Sequence, residues 1–152
     1  EQNLGSLAFF TFLWAFVVLS GVVYIALALA AWPVVGWAWM QTSAAGFSGV
    51  LFSIAMQESF LSVRETRSLF GMVEVPTRWY PWMLLVGLSV MLPGVSFLGH
   101  LAGLLVGMLH VRGYLRWLFP SHAAAQEVEA HEWFRRVRSL PYYIPLPEQD
   151  PV

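Results

Sequence analysis

Two short runs carry the polar chemistry of this chain: Gly46-Phe47-Ser48-Gly49 and Gly99-His100-Leu101-Ala102-Gly103, each set inside a long apolar stretch. A serine hydroxyl becomes a useful nucleophile only beside a base that takes its proton. His100 is the one histidine deep in an apolar segment, and so the base on offer to Ser48. Glycines on both sides of Ser48 leave room for a carbonyl to approach. The free N–H groups of a helix start around Gly46, Phe47 and Ser48 suit a developing oxyanion. His100, Gly103 and Gly107 fall at i, i+3 and i+7 on one helical face, and Gly99 extends the small-residue row. Such a row lets two helix backbones approach closely, which would bring His100 to a serine on the partner helix. Taken singly, each run also suits plain small-residue packing with a satisfied histidine, and that alternative stays open at this level.

The surroundings of the two runs are those of a membrane protein. Of 152 residues 58% are hydrophobic and 11% charged, against about a quarter charged in soluble domains. No charged residue lies between Gln2 and Gln57, and the first basic residue is Arg64. Idle polar groups are costly at membrane depth, so Ser48 and His100 there are functional candidates. A net charge of -1, with arginines only and no lysine, leaves no basic face for nucleic acid. Cysteine is absent, which removes disulfide, thiolate and Cys–metal chemistry. Ala28-Leu29-Ala30 resembles a signal-peptidase site, but the apolar run before it is too long and Glu1 replaces a positive start. The chain opens without methionine and enters an apolar run almost at once, which reads as a piece of a longer protein.

Four membrane segments are predicted, roughly 6–32, 47–63, 79–92 and 96–118. The first is an apolar run from Leu7 that should stop at Trp32-Pro33, before an interfacial loop over 33–45 rich in tryptophan. The second runs from Ser48 to Ser62; at 1.5 Å per residue it covers only about 22 Å and cannot cross a core of about 30 Å. Its Ser48 end should therefore lie recessed below the surface. Pro93-Gly94 splits the last apolar stretch into two helices. An even number of segments puts both ends on one side, and all eight arginines then fall on the cytoplasmic side. Beyond residue 119 the chain turns polar, giving a domain over 1–119 and a cytoplasmic tail over 120–152. Ser121 should cap an amphipathic helix reaching about Leu140, with Glu132 and Arg136 paired at i,i+4, before a Pro-rich end that is extended or disordered.

With both motifs in place, the chain resembles the rhomboid family of intramembrane serine proteases. That family carries a Gly-x-Ser-Gly nucleophile at the start of a short buried helix. Its base lies in a Gly-His-x-x-Gly-x-x-x-Gly pattern, matched here by Gly99, His100, Gly103 and Gly107. Leu4-Gly5-Ser6 resembles the start of the family's third core helix. The runs from Gly46 to Phe52 and from Ser96 to His100 are most similar to the eukaryotic secretory-pathway branch, implying an endomembrane (ER or Golgi) rather than plasma membrane or mitochondria.

The resemblance implies an all-α, multi-pass helical bundle holding core helices three to six. It also implies a Ser48–His100 dyad without an aspartate, acting on transmembrane protein substrates in the bilayer. Phe52, one turn after Ser48, stands where the family places an aromatic against the catalytic histidine. Supporting roles at the oxyanion fall to Gly46, Phe47 and Gly49, and helix packing to Gly99, Gly103 and Gly107. No metal or organic cofactor is implied. The family's further oxyanion donors, a histidine and an asparagine four residues apart on the second core helix, have no counterpart here: Asn3 is the only asparagine, and no histidine precedes His100. A different class of function is a catalytically inactive rhomboid-like protein that binds and routes membrane clients. Elsewhere, His122, Glu127, His131 and Glu132 read as a solvated helix face rather than a metal cluster, His110 as a membrane-exit residue, and Glu58 as an exposed group at the end of its short helix.

Overall fold

A computed structural model describes residues 5–36, 47–92 and 94–146 of the chain. The chain divides into two compact units, one formed by 16–115 and the other by 1–15 together with 116–152.

Helix α1, Ser6–Val35, is long and apolar enough to cross a membrane. Trp14, Val18, Val22, Ile25 and Leu29 are each more than half exposed along it, so its outward surface is one that hydrocarbon, not water, would cover. The predicted stop at Trp32-Pro33 is displaced. Pro33 lies inside the helix, in its last turn, where its missing N–H and the crowding of the carbonyl four residues before are costs the helix carries rather than a stop. The helix ends instead at Gly36, whose N–H bonds to Trp32 O at 2.9 Å and whose φ is +75°, the left-handed stop that glycine adopts freely. Most of the predicted 33–45 loop lies outside the described residues.

Helix α2, Ser48–Leu61, spans 14 residues, about 21 Å at the standard rise. A feature not expected from sequence follows it: a two-stranded antiparallel hairpin, β1 Thr66–Leu69 with β2 Val73–Pro76. Phe70 and Gly71 turn it with positive φ at both central positions, +53° and +73°, as a type I′ turn requires. Helix α3, Tyr80–Met91, starts with proline in its first turn. Helix α4, Phe97–Val111, is capped by Ser96, whose Oγ accepts from Gly99 N at 3.1 Å. It stops at Val111, short of the predicted end near residue 118, and a separate 3₁₀ turn covers Arg116–Leu118. The core of this unit joins Phe52 and Met56 of α2, Leu85 of α3 and Leu104 of α4.

In the other unit the tail departs from one continuous helix. Ser121 caps α5, His122–Ala130, accepting from Ala124 N at 3.2 Å. His131 then turns extended, a 3₁₀ turn covers Glu132–Phe134, and α6 is a single turn, Arg135–Arg138. The break turns Phe134 inward, where it is 6% exposed and meets the Tyr143 ring edge-on at 5.8 Å. It also separates Glu132 from Arg136, which form no ion pair among the described residues. Phe12 stacks on Phe119 at 4.3 Å, and Ser6 N–H donates to Ile144 O at 2.7 Å. Ile144 N–H donates back to Ser6 Oγ at 2.9 Å, so the segment after Leu140 is tied to the start of α1.

Candidate active site

Ser48 is the first residue of α2, and Leu51 N–H is the first to bond back into the helix, to Phe47 O at 3.2 Å. The N–H groups of the first turn therefore have no partner within the helix. Phe47, 48% exposed, precedes Ser48 at the rim of the cavity described below; Gly46 lies outside the described residues. His100 sits in the first turn of α4 and is 5% exposed. Its Nε2 lies 3.0 Å from Ser48 Oγ. The two polar runs of the sequence thus meet, although α2 and α4 are separated in the chain by the hairpin and α3.

What brings them together is the glycine seam. At Gly107, a Cβ would stand 2.5 Å from Ser53 O; at Gly103 it would overlap the Gly49 backbone, 2.8 Å from Gly49 Cα. At Gly49 itself a Cβ would meet Gly99 O at 3.3 Å. The crossing point thus adjoins Ser48 on one helix and brackets His100 on the other. Phe52 lies over the imidazole, ring centroids 4.5 Å apart and planes tilted by 30°, which restrains the ring plane from one face.

His100 Nδ1 is buried with no hydrogen-bond partner among the described residues. With a proton on Nδ1, the neutral ring presents the Nε2 lone pair to the serine hydroxyl, the tautomer a base needs. A cavity of about 530 Å³ opens onto the pair, walled by Val17, Ser20 and Tyr24 of α1, the start of α2, and Val95, Ser96 and Gly99. Its size falls in the range of ligand pockets. Among the described residues no carboxylate and no arginine lines it.

Two hydroxyls near the pair were not singled out from sequence. Ser20 is 9% exposed, lines the cavity, and its Oγ has no partner among the described residues. Ser53 is fully buried between α2 and α4, its Oγ 2.7 Å from Gly103 O. The remaining candidates lie elsewhere. His110 meets Phe16 edge-on at 5.6 Å. Glu58 accepts from Arg67 Nη2 of the hairpin at 2.5 Å, an ion pair more than half exposed on the carboxylate side. Among the described residues no group of three or more histidine and acidic side chains is placed to hold a metal ion, His122, Glu127, His131 and Glu132 included.

One helix long and apolar enough to cross a membrane, with shorter apolar helices joined at a glycine seam that carries the polar pair, fits an integral membrane protein of helical-bundle class. The chain belongs to the rhomboid family: the family model described as rhomboid domain matches residues 1–117. It is 38% identical over 124 residues to Rhomboid-related protein 4 of Homo sapiens, covering 81% of this chain and 39% of that protein. It is 37% identical over 105 residues to Rhomboid-like protein 15 of Arabidopsis thaliana, covering 69% of this chain and 26% of that protein. To Rhomboid-type serine protease 2 of Neurospora crassa it is 39% identical over 75 residues, 49% of this chain and 22% of that protein. The chain thus spans well under half the length of these relatives. No solved structure matches it.

Proposed function

We propose that this chain supplies the nucleophile and the base of an intramembrane serine endopeptidase that cleaves transmembrane proteins. The observation that carries the reading is the 3.0 Å approach of Ser48 Oγ to His100 Nε2 at the wall of a cavity within apolar helices. His100 Nε2 takes the hydroxyl proton as Ser48 Oγ attacks the peptide carbonyl, and the resulting imidazolium gives that proton to the leaving amine. Backbone N–H groups at the start of α2, with Gly46, Phe47 and Gly49 shaping the approach, receive the oxyanion. Water then attacks the acyl-enzyme with His100 again as base. The naming of one relative as a rhomboid-type serine protease agrees with this reading. The arginine-bearing loop and both ends of the chain are assigned to the cytoplasmic side of an endomembrane, on the positive-inside pattern.

A serine-reactive fluorophosphonate probe tests it on the full-length protein in bilayers. Wild type is expected to label, and Ser48→Ala and His100→Asn to lose labelling. Equal labelling of wild type and Ser48→Ala would mean that another serine reacts. Absence of labelling in all three would favour the non-catalytic reading, a rhomboid-like protein that binds and routes membrane clients.

A further inference from the structure

A glycine seam sets how closely two helices approach, while their axial register is left to the groups beside it, among them the packed Phe52, Met56 and Leu104. The distance from Ser48 to His100 depends on that register, since each sits on its own helix near the crossing. A directional bond can fix it, and one group in the seam supplies one.

Ser53 is 0% exposed and lies five residues beyond Ser48 on α2. Its hydroxyl has one proton and two acceptors near it. Gly49 O, on its own helix, lies at 3.1 Å, and Gly103 O, across the seam, at 2.7 Å. Gly49 O is also within reach of the ordinary helical N–H of residue 53, so the shorter bond to Gly103 O is where the proton goes. Gly103 follows His100 by three residues, one turn along the same face. The bond therefore ties the two helices one turn from the base and little more than one turn from the nucleophile. A fully buried hydroxyl among apolar groups is costly unless it is paired; here it is paired across the interface and not only to its own helix.

We propose that Ser53 is a positioning residue for the dyad: by donating to Gly103 O it locks the axial register of α2 against α4 and so holds Ser48 Oγ at hydrogen-bond distance from His100 Nε2. This rests on the Ser48–His100 reading above. Alanine at 53 would keep the glycine contacts, and hence the helix separation, while removing the one hydrogen bond across the seam, among those of the described residues, that is independent of the Ser48–His100 pair itself.

The test compares wild type, Ser53→Ala and Ser53→Cys in the full-length protein, each held well below its own thermal midpoint. The rate of fluorophosphonate labelling per folded molecule is measured across pH, with kcat and KM for a transmembrane substrate. Ser53→Ala should slow labelling by about tenfold. That lies between the few-fold value of an average interhelical hydrogen bond in a membrane and the roughly hundredfold cost of an ångström of misplacement. The loss should appear in kcat with KM held, and the pH midpoint should stay in place. Ser53→Cys, which keeps a weak donor, should fall between the two; should Ser53→Ala not fold, Ser53→Cys alone carries the comparison. Folded Ser53 variants that label and turn over like wild type would overturn the proposal and leave the dyad standing. A wild type that does not label would remove the dyad and this proposal together.

Discussion

Gly103 lies against the backbone of Gly49 with no space between them for a side chain: a Cβ on Gly103 would stand 2.7 Å from the Gly49 carbonyl carbon. The obstacle is backbone, not the tip of a flexible side chain, so only separation of α2 from α4 relieves it. Gly103→Ala is therefore expected to destabilise the bundle by about 2 kcal/mol or more, the scale of overpacking in a tight core. Labelling of Ser48 should fall by about a hundredfold, because misplacement of reacting groups by an ångström carries that penalty. Gly107→Ala, facing Ser53 O at 2.5 Å, should behave alike. Gly21, with nothing within 4 Å of its added carbon, is the control, and Gly21→Ala should shift stability by no more than about 1 kcal/mol, in the stabilising direction. Thermal unfolding in detergent and probe labelling read both effects.

Phe52 makes a different demand on the same histidine. Its ring is 4% exposed and lies 4.5 Å from the imidazole. Phe52→Ala removes core volume as well, and should cost about 3–5 kcal/mol. Phe52→Leu keeps most of the volume and should cost below about 1.5 kcal/mol. Loss of the flat ring surface leaves His100 freer to rotate, so Phe52→Leu should slow labelling by more than its loss of stability suggests. Equal labelling rates for wild type and folded Phe52→Leu would assign Phe52 to the core alone.

Ser20 tests what the cavity does. Its hydroxyl is buried and has no partner among the described residues, a state that costs stability. Ser20→Ala should leave the thermal midpoint unchanged or raise stability by about 1 kcal/mol. Cleavage of a membrane substrate should nonetheless slow, because Ser20 lines the cavity that opens onto Ser48 and His100. An alanine variant that gains stability and keeps full turnover would show the hydroxyl to be idle.

How much of this was legible before the structure depends on the range of the interactions involved. Ser48 and His100 stand out because residue type, glycine neighbours and apolar surroundings are local signals, and the apolar runs mark α1 to α4 without reference to anything distant. Ser53 carries no such signal: a serine in an apolar helix is ordinary, and its place opposite Gly103 O depends on the register of two helices far apart in sequence. Ser20 is similar, since which side of α1 meets the cavity is decided by tertiary packing. The hairpin at 66–76 was hidden by strands of four residues, too short to show alternation. Its Phe70 ring rests against Gly87 of α3, where a Cβ would sit 2.9 Å from the ring and push it aside. Helix α5 ends early for the same kind of reason: burying Phe134 against Tyr143 outweighs continuing the helix past His131.

The tail supplies a pH-dependent prediction. Tyr143 Oη donates to Glu129 Oε1, and Leu146 N–H donates to Glu129 Oε2 at 3.3 Å, so a carboxylate 7% exposed holds the end of the described chain. Burial first, and then the Glu129 carboxylate that accepts its proton, push the Tyr143 phenol well above its ordinary range. Because the folded state holds this proton more tightly than the unfolded chain, the contribution is fully present below the ordinary phenol range, near pH 10. It is lost as pH rises above that range, since the unfolded phenol then ionises while the folded one resists. Raising the pH from about 8 to about 11 should therefore loosen residues 139–146, seen as lower protection there relative to the intrinsic exchange rate at each pH. Tyr143→Phe should expose the segment already at pH 8 and make its protection independent of pH over that interval. Glu129→Gln keeps an acceptor for the phenol but removes the charge, and should shift the onset of loosening to lower protection at every pH without abolishing the alkaline step. If wild type and Tyr143→Phe show the same protection at pH 8, the clamp does not hold the tail.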